Sequence, residues 1–235
     1  MNSGITLAPQ ALASVELFLC LSTPALEEVA ALARVRRLPK ETRIFDQVDP
    51  AERAYALIEG SARIFQSGSD GRQVIVRFIG PGETFGTIAL FTDRRYPAEA
   101  RTLTEALEVS WTEAELLQLM GRHSLIGMNV IRIIGKRLQE VQERVCELST
   151  QRAEQRVAHA VLRLAHQAGN STVDGTAIEF PLRRKDLADI SGTTLHTASR
   201  ILATWEKAGL LVSDNQRLTI RKPSEILRIA QDSAN

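Results

Sequence analysis

The sequence predicts an α+β protein: an N-terminal antiparallel β-roll, a long dimerisation helix and a C-terminal winged helix-turn-helix. Three observations carry that prediction. Residues 43–111 break into short apolar runs separated by glycine turns, the pattern of a closed antiparallel roll. Ile131, Ile134, Leu138, Val141, Val145 and Leu148 recur at spacings of three and four, a heptad seam. Residues 183–220 hold two short helical patterns around Gly192 and then a hairpin. The expected domains are 1–120 for the β-roll, 121–150 for the dimerisation helix and 151–235 for the winged helix.

Taken in order, residues 14–37 read as a helix, with Ser14 or Ser22 as caps and Leu26, Val29, Ala30 and Leu32 as apolar positions. Strand runs follow at Arg53–Ile58, Ala62–Gln66, Gln73–Phe78 and Ala106–Trp111. Gly60, Gly68-Ser69-Asp70-Gly71 and Gly80-Pro81-Gly82 supply turns between them. The long helix runs from Ser124 to Leu148, roughly 37 Å at about 1.5 Å per residue. Its second apolar line, Ile126, Val130 and Ile133, is placed to pack on the β-roll. The heptad line is flanked by Lys136, Arg137, Glu140, Glu143 and Arg144, which suits a homodimeric coiled coil. A helix over Gln151–Ala168 ends at Gly169-Asn170, and Asp214-Asn215 turns the hairpin of the wing.

The chain has 235 residues, 29 basic and 28 acidic, so fibrous, disordered and polybasic classes are excluded. Residues 1–150 carry a net −2 and residues 151–235 a net +3, with Arg183-Arg184-Lys185 as the densest basic cluster. A basic C-terminal third is the footprint expected of polyanion contact. No apolar run is long enough to span a membrane, and no basic flank precedes an apolar stretch at the N-terminus. Cys20 and Cys146 cannot build a disulfide framework, so a cytoplasmic location is expected.

The segment from Arg184 to Leu202 carries the clearest chemistry. Leu187 and Ile190 give a first short helix its apolar contacts, and Gly192 permits a left-handed turn residue. Thr193 or Thr194 caps a second helix, in which Leu195, Ala198, Leu202 and Trp205 are expected to face the core. His196, Ser199 and Arg200 share the opposite face, suited to a major groove. An arginine there can bond a guanine at O6 and N7. The expected DNA-contacting set is Lys185, Thr193, Thr194, His196, Thr197, Ser199 and Arg200, with Lys185 on phosphate.

On these residues the chain resembles the CRP/FNR superfamily of bacterial transcription regulators. Ala54–Gly60 and Gly80–Gly86 are similar to that family's sensor β-roll, and residues 184–202 to its DNA-reading motif. Leu195-His196-Thr197-Ala198-Ser199-Arg200 looks most like the NnrR-type branch, which implies nitric oxide as signal and denitrification genes as targets. The resemblance further implies double-stranded DNA with a TTG-N-CAA-like palindrome, a homodimer and RNA polymerase as partners. A population shift through a hinge near Leu148–Arg152 would link sensor to DNA head.

The family pattern also predicts absences. Where cyclic-AMP-binding members place Gly-Glu and Arg-Ser pairs, this chain reads Gly86-Thr87 and Pro97-Ala98. These four residues form the expected effector pocket, and cyclic AMP is not the expected ligand unless Arg94, Arg95 or Arg101 reaches inward. Two cysteines cannot supply the four ligands of an iron–sulfur cluster. Haem stays open as a cofactor, with His123 as candidate ligand beside Cys20, Met120, Met128 and the N-terminal arm. His159 and His166 are expected on the surface or in packing, and Cys146 as a buried small hydrophobe or a redox group. Two alternatives remain: an effector-independent or redox-responsive regulator, and a cupin-like metalloenzyme. The latter lacks its metal ligands, because all four histidines lie outside residues 43–112.

Overall fold

The computed structural model describes residues 7–68, 73–178 and 180–232, and the chain divides into two compact units, Met1–Gln139 and Glu140–Asn235. The boundary between these units falls inside the long helix.

The first unit opens with short 3-10 turns at Pro9–Ser14 and Glu16–Phe18, then helix α1 (Thr23–Leu32) and strand β1 (Arg34–Leu38). The single helix expected over residues 14–37 is therefore corrected to turns, a ten-residue helix and a strand. Arg34 to Leu38 becomes β-structure because it pairs with residues 106–110, a partnership distant in sequence. Next come β2 (Arg43–Phe45), β3 (Arg53–Glu59), β4 (Ala62–Ser67), β5 (Gln73–Ile79) and β6 (Thr84–Phe85). A one-turn helix α2 (Thr87–Leu90) precedes β7 (Glu99–Thr102), β8 (Ala106–Thr112), α3 (Glu113–Arg122) and α4 (Ser124–Thr150). Two four-stranded antiparallel sheets result, ordered β1-β8-β3-β6 and β2-β7-β4-β5. The turn at residues 69–71 lies outside the described residues.

One apolar cluster joins the N-terminal segment to β3, β8 and α3 around Trp111. The Trp111 indole N–H donates to Val29 O at 3.0 Å, and its ring meets Phe18 edge-on at 4.8 Å. Ile126 is fully buried in this cluster, with Val130 and Ile133 packed against it, as their spacing predicts. Buried Asn129 donates to Leu17 O and Leu19 O at 3.1 and 3.0 Å, fastening α4 to the N-terminal turns. Thr112 and Glu115 form a reciprocal capping box that starts α3. A second cluster, rich in aromatic rings, fills the roll around Phe45, Tyr55, Phe85 and Tyr96.

In the second unit the helix α5 (Ala153–Ala168) ends at a two-stranded β9 (Gly169–Thr172) and β10 (Gly175–Ile178). Helices α6 (Arg184–Ser191) and α7 (Leu195–Lys207) follow, then β11 (Leu211–Asp214), β12 (Arg217–Ile220) and α8 (Pro223–Gln231). The wing sheet is ordered β11-β12-β10-β9. Its hairpin turns on Asn215 and Gln216, both at positive φ (47° and 66°), one residue later than the sequence suggests. Ala158, Val161, Leu202, Trp205 and Ile226 are buried in this unit, and Trp205 Nε1 donates to Glu154 at 3.0 Å.

Candidate functional site

Two sites emerge, one in each unit. In the second unit α6 stops at Gly192, whose φ of 61° is left-handed and whose N–H bonds the helix-end carbonyls. Arg156 braces this turn from α5, donating to Ser191 O at 3.0 Å and Gly192 O at 3.2 Å. No sequence signal marks that arginine, because its acceptors are backbone atoms 35 and 36 residues away. Thr194, rather than Thr193, caps α7: its hydroxyl accepts from Thr197 N at 3.1 Å and lies 2.9 Å from Thr197 Oγ1.

Along α7 the buried line is Ala198, Ile201, Leu202 and Trp205. Leu195 does not join it and is 51% exposed, a correction to the expected core role. Its place in the first turn carries it past the body of the domain. His196 and Arg200 are exposed and Ser199 half-buried on the same helix. Among the described residues neither the His196 imidazole nor the Arg200 guanidinium has a partner, so their donors are open to an external ligand.

The neighbouring basic cluster behaves differently. Arg183 bonds Asp186 at 3.1 Å, Arg184 reaches both oxygens of Glu206 at 3.0 Å, and Lys185 Nζ lies 2.9 Å from Asp189. Charge that reads as a polyanion footprint in the sequence is thus spent largely inside the domain. Lys185 stays more than half exposed, so water screens its pair.

The second site is a cavity of about 170 Å³ in the β-roll. Gly86, Thr87, Pro97 and Ala98, the four residues expected at the effector pocket, all line it. Gly86 has φ 73°, and a Cβ there would press on Tyr55 at 3.1 Å and Tyr96 at 3.3 Å, so glycine is required. Phe45, Phe85 and Tyr96 form much of the wall; the Phe45 and Tyr96 rings stack at 3.9 Å. Burial pushes the Tyr55 phenol above its ordinary range, so it remains protonated.

Arg94, Arg95 and Arg101 do not enter the cavity. Arg94 pairs with Glu113, Arg95 donates to Val48 O and Arg101 pairs with Glu99. Arg77 from β5 and Arg137 from α4 line it instead. Arg77 bonds Glu83 at 2.6 Å, and Arg137 lies 3.4 Å from both Glu83 and Glu16. Glu16 also accepts from Thr84 N and Oγ1, both at 2.8 Å, and Glu83 from Gly80 N at 2.8 Å. Burial pushes the Arg77 guanidinium down, yet a guanidinium stays charged. Two cations thus face two anions. Glu16, the Arg77–Glu83 pair and Arg137 are too far apart in sequence to suggest such a cluster.

The candidate haem ligands lie elsewhere. His123 Nε2 sits 3.3 Å from Glu28 at the end of α3, where Arg122 and His123 hold the Glu28 carboxyl below its usual range. Met120 packs against the Trp111 cluster, and Met128 is exposed. Cys20 and Cys146 are free and exposed, which corrects the expectation of a buried Cys146. His159 lies 3.8 Å from Glu147, and His166 is exposed. Among the described residues no group of three or more His, Cys, Asp or Glu is placed to hold a metal. No helix is long and apolar enough to cross a membrane, again among those residues.

Residues 35–123 match the cyclic nucleotide-binding domain family, and residues 155–229 match the Crp-like helix-turn-helix domain. The chain belongs to the CRP/FNR family of transcriptional regulators. It is 29% identical over 203 residues to the nitrogen fixation regulation protein FixK of Azorhizobium caulinodans, covering 86% of this chain and 81% of that one. It is 28% identical over 196 residues to the cyclic AMP receptor protein of Thermus thermophilus, covering 83% and 88%. The structure of FixK2 from Bradyrhizobium japonicum shares the fold, with a TM-score of 0.74 and 23% identity over 86% of this chain and 99% of that one. The match to the Crp-like helix-turn-helix domain and the likeness to a nitrogen fixation regulation protein speak for a regulator, so the cupin-like alternative is set aside.

Proposed function

We propose that this CRP/FNR-family regulator works as a homodimer that reads a specific DNA sequence with α7 and receives its signal in the β-roll cavity. The observation that carries the reading is the open face of α7, where His196 and Arg200 are exposed and without partners among the described residues. On the sequence reading, Lys185, Thr193, Thr194, Thr197 and Ser199 complete the DNA-contacting set. Arginine in such a place bonds guanine bidentately, and histidine can donate to guanine or to phosphate.

Support for the homodimer comes from α4. Ile131, Ile134, Leu138, Val141, Val145 and Leu148 are all exposed, Ile131 at 63% and Val141 at 59%. A six-residue apolar stripe in heptad spacing left in water would be costly, and a second copy of the helix covers it. A two-fold dimer then requires an inverted repeat, with half-sites about 34 Å apart. We expect a TTG-N-CAA-like sequence, contact with RNA polymerase and a cytoplasmic location, all on family grounds.

The cavity lining contains no histidine, cysteine or methionine, so a haem seated there would lack those ligands. The nitrogen-oxide signal implied by the Leu195–Arg200 motif rests on that resemblance alone. The test is selection of bound sequences from a random DNA pool by the full-length protein, with sedimentation in parallel. Recovery of an inverted repeat by a dimer is expected. Monomeric protein, or equal retention of all sequences, overturns the proposal.

A further inference from the structure

We propose that the β-roll cavity takes a small uncharged aromatic molecule, a single ring carrying one hydrogen-bonding substituent. The inference rests on the reading of the β-roll as sensor and adds the chemical class of its ligand.

Size sets the first limit. The cavity holds about 170 Å³. A cavity of about 150 Å³ lined by aliphatic and aromatic side chains takes up benzene, whereas drug-sized ligands occupy about 300 Å³ or more. One ring fills that space, whereas a base with its sugar and phosphate would have to extend out through the open side. The walls agree, because Phe45, Phe85 and Tyr96 present aromatic surface and Ile64, Val76 and Ile133 aliphatic surface.

Charge sets the second limit. Arg77 and Arg137 would attract an anion if they were unbalanced, but Glu83 and Glu16 already neutralise them. A phosphate or carboxylate ligand must displace one of these carboxylates, leaving a buried anion without its cation. A neutral ligand leaves the cluster intact.

Hydrogen bonding selects the substituent. Thr87 and Arg77 both line the cavity, and Thr87 Oγ1 and Arg77 Nε are buried without a partner, so a hydroxyl, which can donate or accept, suits either atom. The Tyr96 hydroxyl is not available, since it donates to Arg53 O at 2.8 Å and accepts from Glu52 N and Arg53 N. A buried hydroxyl without a partner is unfavourable, and a ligand hydroxyl within reach of Thr87 would satisfy it.

The test is calorimetry on the full-length protein with phenol, toluene, benzoate and cyclic AMP, and operator affinity measured beside it. Phenol is expected to bind once per chain, with benzoate at least tenfold weaker and cyclic AMP without detectable heat. Thr87→Val should weaken phenol about fivefold, the worth of one ordinary hydrogen bond, and leave toluene unchanged. Ala98→Leu, which fills the cavity, should remove binding of both while the cooperative melt is retained. Tighter binding of benzoate or cyclic AMP than of phenol overturns the proposal. So does a failure of phenol to saturate the wild-type protein at millimolar concentration, or an unchanged phenol affinity in Thr87→Val. Phenol binding that leaves operator affinity unmoved would uphold the ligand class and overturn only the sensor reading.

Discussion

The β-roll and the DNA head both carry arginines at their candidate sites, and they use them in opposite ways. Arg77 and Arg137 are turned onto Glu83 and Glu16, each within 3.4 Å of a carboxylate oxygen, beside a cavity that is otherwise apolar. Arg200 stands exposed on α7 with no acceptor among the described residues. A guanidinium cannot shed its charge, so one with no internal acceptor is held ready for an external one. A guanidinium already paired inside the fold stiffens its site, and its charge is balanced before any anion arrives. The same contrast recurs inside the head itself, where Arg183 and Arg184 pair with Asp186 and Glu206 while Arg200 does not pair.

The sharpest way to break this comparison is to separate the two protomers. Leu138→Lys with Val141→Lys places two charges in the exposed heptad stripe, and we expect monomers and complete loss of operator binding. Sedimentation as an intact dimer would remove the seam.

Next in size is Arg77→Leu, which leaves Glu83 facing Arg137 alone. Breaking a buried pair in this way should cost about 3 kcal/mol of stability, read from denaturant melts, with no change in which operator is preferred. An unaltered midpoint would show that the pair is not buried in solution.

Arg200→Ala should show the reverse pattern. We expect unchanged stability, a loss of about 1–3 kcal/mol of operator affinity per half-site, and flattened discrimination at one base pair. An equal loss on every operator variant at fixed salt would make Arg200 a phosphate clamp. Lys185→Gln should do less, because Asp189 already holds the ammonium at 2.9 Å. A uniform weakening across sequences, with the salt slope lower by about one unit, is the expected signature of a phosphate contact. The smallest effect is expected of cyclic AMP: at millimolar concentration it should leave operator affinity unchanged. Micromolar binding would mean that the nucleotide outcompetes Glu83 or Glu16 for Arg77 and Arg137.

The sequence by itself determined the features that depend on neighbours along the chain. The heptad stripe, the Gly192 turn and the outward face of His196 and Arg200 are all set within a few residues by helical periodicity and backbone preference, whereas the choice of Thr194 over Thr193 as cap is not. The four expected pocket residues were legible too, since Gly86-Thr87 and Pro97-Ala98 interrupt a family pattern and line one cavity. Only the tertiary structure decided the rest. Arg34–Leu38 is a strand because β8 is beside it, although periodicity alone assigns it to a helix. Leu195 is apolar at core spacing, yet it projects beyond the core that Ala198, Ile201, Leu202 and Trp205 enter. The cluster of Glu16, Arg77, Glu83 and Arg137 joins residues up to 121 apart. Charges separated by that much chain meet only when strands and helices close around them, and burial then fixes which of them remain free to bind.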